Sequence, residues 1–510
     1  MKTNGNEKRP LPNGWIWTKL ESIIVNHDGR RIPVRKSDRA EMQGEYSYYG
    51  ASGIIDHVDD FLFDGEFLLL AEDGANLLSR STPIAFQARG KFWVNNHAHV
   101  MQTKNGLPLS YLEHYLNSID LASFITGTAQ PKLTQRNMNK IPVPIAHLAE
   151  QNRIVAEIEK QFTRLDQALA SLKRLQSNLA RYKASVLKAA CEGRLVPQNP
   201  KGNEVAPEPA QQLLARILAE RRAQWEAQEW QNLIVKAQKK AAQAQRKAQG
   251  LPACIKDLQP GEWESILEAD YARYLPKNDK WKEKYKEPGG VETAVLPDLP
   301  IGWVWSNMQM LIIDGPTNGL YLPKSKYGKG IPILRIDDYQ AGESRSSEEL
   351  RKVEASQAEI QRYSLGKQNL VINRVNSPSH LGKSLVVEER NLPSLFESNM
   401  MRIELSKNLS PYYVDFYLQS VEGRKCLISN AKWAVNQASI NQGDVGSTPI
   451  PIPPLAEQKR IVAEVERRLS VITATEQAIT TNLARAERLR QSILHRAFTG
   501  QLIPQTEGAA

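Results

Sequence analysis

The chain has little cysteine: Cys191, Cys254 and Cys426 are its only three in 510 residues, and they lie far apart. That spacing excludes the close pairs of a zinc site and a disulfide framework, and it fits a reducing cytoplasm. No stretch approaches the ~18 consecutive apolar residues of a membrane helix. The opening MKTNGNEKRP lacks the apolar core of a secretory signal, so a soluble, unexported protein is expected. Catalytic motifs are scarce too. HLGKS at 380–384 ends like a phosphate-binding loop, but Ser377 stands where the first glycine is required. His97 and His99 in NNHAH have no third ligand at a recognisable spacing, so packing or hydrogen bonding is favoured over a metal. AEDG at 71–74 has adjacent carboxylates without the lysine of a nuclease core and is read as a turn. Neither an Asn-Pro-Pro-Tyr nor an Asp-Pro-Pro-Tyr tetrapeptide is present, nor a Gly-rich S-adenosylmethionine loop. Together these absences argue against a self-contained enzyme.

What is present begins with charge and length. The formal net charge is +10 and the pI about 9.2, which points to an anionic partner such as nucleic acid. At 510 residues the chain exceeds the ~250–300 residues at which one core stops growing, so several domains are expected.

The strongest signal is internal repetition. LAEQNRIVAEIEK at 148–160 returns as LAEQKRIVAEVER at 455–467, with ten of thirteen positions identical. The same offset, 307, carries Pro142 and Pro144 onto Pro449 and Pro451, and Gly193, Leu195 and Pro197 onto Gly500, Leu502 and Pro504. Each copy reads as an extended Pro-containing segment, a long helix, and a Gly-to-Pro stop. Ile158, Leu165, Leu172, Leu179 and Val186 fall seven apart, as do Val465, Ile472, Ile479, Ala486 and Ile493. That period predicts a coiled coil between the copies. Ala168, Leu175, Tyr182 and Ala189 are expected as the companion seam, with Thr475 and Asn482 as its polar interruptions in the second copy.

A second repeat opens each half. LPNGWIWTKLESII at 11–24 resembles LPIGWVWSNMQMLII at 299–313, with Gly14, Trp15 and Trp17 answering Gly302, Trp303 and Trp305. Between these frames lie short apolar and aromatic runs with Gly, Asp and Asn, read as mixed sheet and turns. The expected domains are therefore 1–147, a repeated helix at 148–198, a connector at 199–290, a second domain at 291–454 and a second helix at 455–510. The fold class is α+β: two mixed α/β domains separated by long helices that pair as an antiparallel coiled coil with pseudo-two-fold symmetry. A helix from Leu148 to about Cys191 is ~60 Å long, enough for a strut. The connector carries Lys236, Lys239, Lys240, Arg246 and Lys247 on a predicted helix with no acid among them. It is read either as a partner or DNA-backbone contact or as a solvated charged helix, the second being favoured.

Two variable domains, each followed by a near-identical helix running from IPVPIAHLAEQNRIVAEIE or IPIPPLAEQKRIVAEVE to KAACEGRLVPQ or HRAFTGQLIPQ, resemble the specificity subunit of type I restriction-modification systems. The opening LPNGWIWTKLESI, the GTAQPKL loop and INRVNSPSHLGK are similar to segments of that family's target recognition domains. The resemblance implies that each domain reads one half of a two-part DNA target and the helices set the unread gap. It implies a subunit without catalysis, two modification subunits that methylate adenine with S-adenosylmethionine, and two restriction subunits that use ATP and Mg. No cofactor is expected in this chain itself.

Specificity requires side chains at base edges: Asn or Gln on adenine, Arg or Lys on guanine, Asp on cytosine. The expected readers are Asp73, Asn76, Gln130, Lys132, Thr134 and Arg136 in the first domain. In the second they are Arg374, Asn376, Ser377, His380, Lys383, Asn436, Gln437, Ser439 and Asn441. Each is read equally as a loop brace, Gln130 and Gln437 especially, because they share one register position. The modification subunits are expected on Glu150, Gln151, Arg153 and Glu157 and on Glu457, Gln458, Arg460 and Glu464, with helix capping and Arg–Glu i,i+4 pairing as the alternative. A coiled-coil adaptor bridging two proteins remains the rival to the whole reading, and a DNA-binding part of another machinery a third.

Overall fold

The computed structural model describes residues 10–504 apart from 128–129, 199–207, 253, 255–257, 341–342, 378–379 and 436. The chain forms two compact units, Met1–Ser177 with Glu476–Ala510, and Asn178–Thr475. Each long helix, Leu148–Cys191 and Leu455–Ala497, therefore gives one part to each unit. Among the described residues no helix is long and apolar enough to cross a membrane.

The first unit is built on a six-stranded sheet in the order Ile24–Asn26, Ala98–Thr103, Phe63–Ala71, Ala85–Val94, Tyr46–Gly50, Gly53–Val58. All its pairings are antiparallel except that of Tyr46–Gly50 with Ala85–Val94. Residues alternate between faces along a strand. Thus Phe67 and Leu69 join Phe63, Phe92 and Val100 on one side, while Leu68 and Leu70 meet Tyr111, Leu112 and Leu116 of the helix Leu109–Ser118 on the other.

The opening repeat finds its reason in a two-stranded ribbon. Ile16–Lys19 pairs antiparallel with Pro142–Ile145, placing Trp17 opposite Pro144. The prolines lack an N–H to donate, and their carbonyls face the other way, accepting from the Tyr111 and Tyr115 hydroxyls at 2.8 and 2.5 Å. Gly14 holds φ +81, a left-handed conformation that glycine adopts without strain. The turn presents Trp15, whose indole N–H donates to Glu150 at 3.1 Å in the first turn of the long helix. The second unit repeats most of these features: Val304–Asn307 pairs with Pro449–Ile452, Gly302 has φ +86, Trp303 donates to Glu457 at 3.2 Å, and Tyr413 donates to Pro451 at 2.9 Å.

The second unit's own sheet is different. Four antiparallel strands run in the order Ile312–Asn318, Met400–Leu405, Leu370–Asn373, Ser384–Val386. A smaller sheet joins Lys352–Val353, Tyr327–Leu334 and Leu395–Phe396. Asp415, on the helix Pro411–Gln419, is buried beneath the first sheet and accepts from Ser384 at 2.6 Å and Gln419 at 2.6 Å. Burial pushes its carboxyl up to about 6 despite those donors. The folded state thus favours the neutral form, so a penalty appears as pH rises from about 3.8 to about 6 and persists above it. Asp415→Asn, with the Gln419 amide turned to accept, is expected to stabilise the second unit by about 2–3 kcal/mol at neutral pH. Thermal melts at pH 4 and pH 7 check this, the gain being confined to the higher pH.

In each unit the start of one long helix meets the end of the other, so they run antiparallel. Ile154 and Ile158 share the first core with Ile493, Leu494, Ala497 and Phe498. Val186, Leu187 and Ala190 share the second with Ile461 and Val465. The principal seam is largely the expected one, with Ile158, Leu165, Val186, Val465, Ile472, Ile479, Ala486 and Ile493 buried and Leu172 and Leu179 half-buried. The companion seam is not. Leu175 and Tyr182 are 41% and 45% exposed, and Ala168 is exposed as well. The helix turns its other flank inward, through Phe162, Leu169 and Ala190 and, on the partner helix, Leu469 and Leu483. Heptads alternate steps of three and four, and the first unit takes the step of four because it buries Phe162 against His114 and Arg490. Thr475 and Asn482 bond back to the Val471 and Ala478 carbonyls of their own helix.

The helix ends explain why the text is duplicated. After the first long helix, Gly193 (φ +67) has its would-be Cβ 2.6 Å from Pro300, so only glycine fits. The tail beyond it is held by Arg460, which donates to the Pro197 and Gln198 carbonyls at 3.2 Å each. In the first unit Arg153 donates to Pro504 at 3.0 Å, and Phe498 meets Tyr111 and Tyr115 edge-on, with centroids 5.2 and 5.1 Å apart. Each globular domain is thus closed by the start of one copy and the tail of the other.

The connector helix, Ala210–Ala248, begins in the second core, where Leu213 and Ile217 are buried with Met308 and Leu311. Asn408 donates to its Glu220 at 2.8 Å. Its farther half carries a small cap of its own, including Pro260–Glu264 and Asp279–Lys284.

Candidate nucleic-acid interface

The structure brings the expected reading segments of each domain together. In the first, the turn at 72–76 and the loop at 126–134 are joined by backbone bonds: Gly74 N–H to Pro131 at 3.0 Å and Leu133 N–H to Glu72 at 2.7 Å, with Asp73 bridged to Lys132. Gly127 (φ +87) is needed because a Cβ there would lie 2.5 Å from the Gln130 carbonyl.

Beneath this surface sits a cluster that the sequence concealed. His99, 1% exposed, places Nδ1 2.6 Å from Asp28 and Nε2 2.8 Å from the Leu133 carbonyl. Arg31 donates to Glu72 at 2.6 Å and to the Ala98 carbonyl at 2.7 Å, and Lys132 pairs with Glu72 at 3.1 Å. Burial alone would raise the Glu72 carboxyl, but Arg31, His99 and Lys132 hold it below its usual range. Burial likewise opposes Asp28, whose bonds with His99 and Val100 outweigh it. Asp28, Glu72 and His99 bring ligand-type atoms within 4.8 Å of one another. The donor set does not suit a divalent ion, because Arg31 and Lys132 already bring positive charge to these carboxylates. It is an ion-pair network that fastens the 126–134 loop to the sheet.

The candidate side chains then separate. Gln130 and Arg136 are exposed, and Lys132 is half exposed beside its pair with Glu72. Thr134 caps the helix Gln135–Met138. Asn76 accepts from Ser81 and Thr82 and braces its own turn, and Asp73 bonds with His97 at 2.8 Å.

In the second domain a three-stranded sheet, Val375–Asn376, Ala438–Ser439 and Lys432–Trp433, joins the two expected segments. Val375 lies opposite Ser439 and Asn376 opposite Ala438. Gln437 and His380 are exposed, the latter's Nδ1 3.0 Å from the Ser377 hydroxyl. Asn436 lies outside the described residues. Arg374 donates to the Ser398 carbonyl at 3.2 Å. Lys383 turns inward over the Tyr339 ring and donates to the Tyr339 carbonyl; burial lowers its ammonium. Asn441 caps the helix Gln442–Ser447, accepting from Gly443 and Asp444. Sequence reasoning missed the tip of this hairpin, where Trp433 is 57% and Val435 98% exposed beside Lys432. An apolar wedge of this kind can stack on bases or enter between them. The apolar run Trp433-Ala434-Val435 within an otherwise polar loop was the available signal.

No HLGKS phosphate loop forms: residues 380–383 turn directly into the strand Ser384–Val386, without the helix N-terminus that would cradle phosphate.

Most of the residues expected to receive modification subunits serve the fold. Gln151, Glu457 and Gln458 are buried. Gln151 and Gln458 donate to the Ala146 and Pro453 carbonyls, and Glu150 and Glu457 receive the tryptophans. Arg153 and Arg460 hold the tails rather than pairing with Glu157 and Glu464, which bond instead to Lys160 and Gln161 and to Arg467 and Arg468.

Comparison with known proteins assigns this duplicated architecture to a class. Residues 12–177 and 318–485 match the type I restriction modification DNA specificity domain. The chain belongs to that family, whose domain is one of DNA recognition and not of catalysis. It is 31% identical over 192 residues to the EcoKI specificity subunit of Escherichia coli, covering 37% of this chain and 41% of that one. To the EcoDI specificity subunit of Escherichia coli it is 20% identical over 512 residues, 97% of this chain and 90% of that one. The matched segments of three relatives, from Haemophilus influenzae, Escherichia coli and Salmonella potsdam, span 35%, 41% and 44% of those proteins' lengths. A solved structure titled for complex assembly and conformational transition of the type I R-M system shares the fold, with a TM-score of 0.59 at 17% identity, covering 97% of this chain and 100% of that one.

Proposed function

We propose that this chain is the DNA-specificity subunit of a type I restriction-modification complex. Each domain reads one half of a bipartite target, and the paired helices set the unread gap. The observation that carries this is the exchange of tails: two domains with different sheets and reading loops are closed by the same repeated helix, so contents vary while the frame is kept. The reading surfaces are the 72–76 and 126–136 segments of the first domain and the 374–380 and 432–441 segments of the second.

Two modification subunits that methylate adenine with S-adenosylmethionine dock on the helices, at the outward surface near Glu157 and Glu464, in the cytoplasm. Two restriction subunits dependent on ATP and Mg complete the complex. This chain contributes recognition alone. Its Lys, Arg and backbone amides on phosphates give salt-dependent affinity, and the polar loops give the choice of sequence.

Mapping methylated adenines across a host genome with and without the chain tests the reading. Two short sequences at one fixed separation are expected, and adenine methylation indifferent to the chain would refute it. Removing one heptad from both helices in matched register shortens them by ~10 Å, which is expected to reduce the gap by up to ~3 base pairs. The same methylation map checks that, and an unchanged gap would remove the helices from the role of ruler.

A further inference from the structure

The farther half of the connector helix belongs to neither repeat and packs against segments of its own arm. Ala241 and Ala242 are buried with Leu258 and Ile266, and Trp225 and Trp230 meet Trp281. Several of the arm's cations are spoken for there. Arg222 and Lys282 share Glu226, Arg246 meets Glu262 at 3.1 Å, and Lys239 lies 4.2 Å from the centre of the Trp263 ring.

Lys236, Lys240 and Lys247 differ. All three are exposed, and none of their side chains has an ion pair or hydrogen bond among the described residues. No acid occurs from 230 to 256. Successive helical residues advance about 100°, so the three fall within about 40° of one another and span about 16 Å of axis. Lys236 and Lys240 also line a hollow of about 340 Å³ with Tyr274 and Pro276. A short row of unneutralised ammonium groups suits neighbouring phosphates of a DNA strand, which carries one charge per about 3.4 Å of axis as it winds round the duplex. The core of a protein interface is depleted of lysine, whereas lysine makes up this row.

We propose that this face of the connector helix tracks the phosphate backbone of duplex DNA, outside the base-reading loops, adding affinity without sequence preference. The proposal rests on the DNA-reading function above. The test uses the full chain assembled with its modification subunits. Binding to a duplex carrying the mapped target and to an unrelated duplex is measured across a salt series, for the native chain, for Lys236→Gln/Lys240→Gln/Lys247→Gln, and for the corresponding triple Lys→Arg variant.

The glutamine variant is expected to lose about 2–3 from the slope of log affinity against log salt on both duplexes, since each phosphate contact contributes about 0.9. The arginine variant is expected to keep the slope, and the preference for target over unrelated DNA to stay unchanged in both. An unaltered slope in the glutamine variant, or a loss confined to the target duplex, would overturn the proposal. Unchanged thermal unfolding separates these outcomes from misfolding. A native complex that holds both duplexes equally refutes sequence reading instead, and the slope comparison still decides the backbone contact.

Discussion

Phe498→Ala is expected to destabilise the first unit by about 3–4 kcal/mol, the range for removing a buried aromatic side chain. The substituted ring is 7% exposed and lies edge-on to Tyr111 and Tyr115, whose hydroxyls hold the Pro144 and Pro142 carbonyls. A cavity here loosens the helix Leu109–Ser118 and the ribbon together, although the mutated residue is hundreds of positions away in sequence. Hydrogen exchange in that helix reads the effect directly: protection should fall there and remain in Leu370–Asn373 of the second unit. Leu489→Ala, on the long helix Leu455–Ala497 that leads into this tail, is the control. At 48% exposed, Leu489 should change stability by less than about 0.5 kcal/mol. If the two substitutions proved equal, the tail would not be part of the first core.

That tail illustrates what a sequence discloses. The Gly-Trp corner, the alternating prolines and the Gly-x-Leu-x-Pro stop were legible because each is local chemistry written twice; the pairing of the helices followed from one shared seven-residue period, and its antiparallel sense from the two-fold symmetry of a repeat that packs on itself. The second seam was not legible. Leu175 and Tyr182 satisfy a heptad as well as Phe162 and Leu169 do, and only the position of His114 and Arg490 in the folded unit decides which flank turns inward. The polar loops expected to read DNA adjoin in each domain, but a Thr or Asn that caps a helix is indistinguishable in sequence from one that reads a base. Thr134, Asn76 and Asn441 proved to bond their own backbone, whereas Gln130, Arg136 and Gln437 stand exposed. His99 was set aside as a ligand for want of a third partner nearby in sequence. Its partners come from Asp28 and Leu133, brought to it by the sheet.

The largest effect on recognition is expected from Glu72→Ala. Glu72 is 9% exposed and receives Arg31 and Lys132 on its two oxygens. Removing it leaves Arg31 without its shortest ion pair, and stranding one member of a buried pair costs about 3–5 kcal/mol. Lys132 is half exposed, so solvent screens its share and the lower end, about 3 kcal/mol, is expected. Because the Lys132–Glu72 pair and the His99–Leu133 bond fasten the 126–134 loop, the variant should lose methylation governed by the first half-site while binding to the second half persists. The acid dependence follows from the same groups. Asp28 and Glu72 are held below their ordinary values of 3.8 and 4.5, so they stabilise the folded chain above those values, and that contribution disappears as pH falls through the depressed ones. The deficit of Glu72→Ala against the native chain should therefore be full at pH 7 and shrink progressively in acid, as thermal unfolding across that range would show. A deficit equally large below both folded-state values would mean that Glu72 acts by packing, and that the loop is held by its backbone bonds alone.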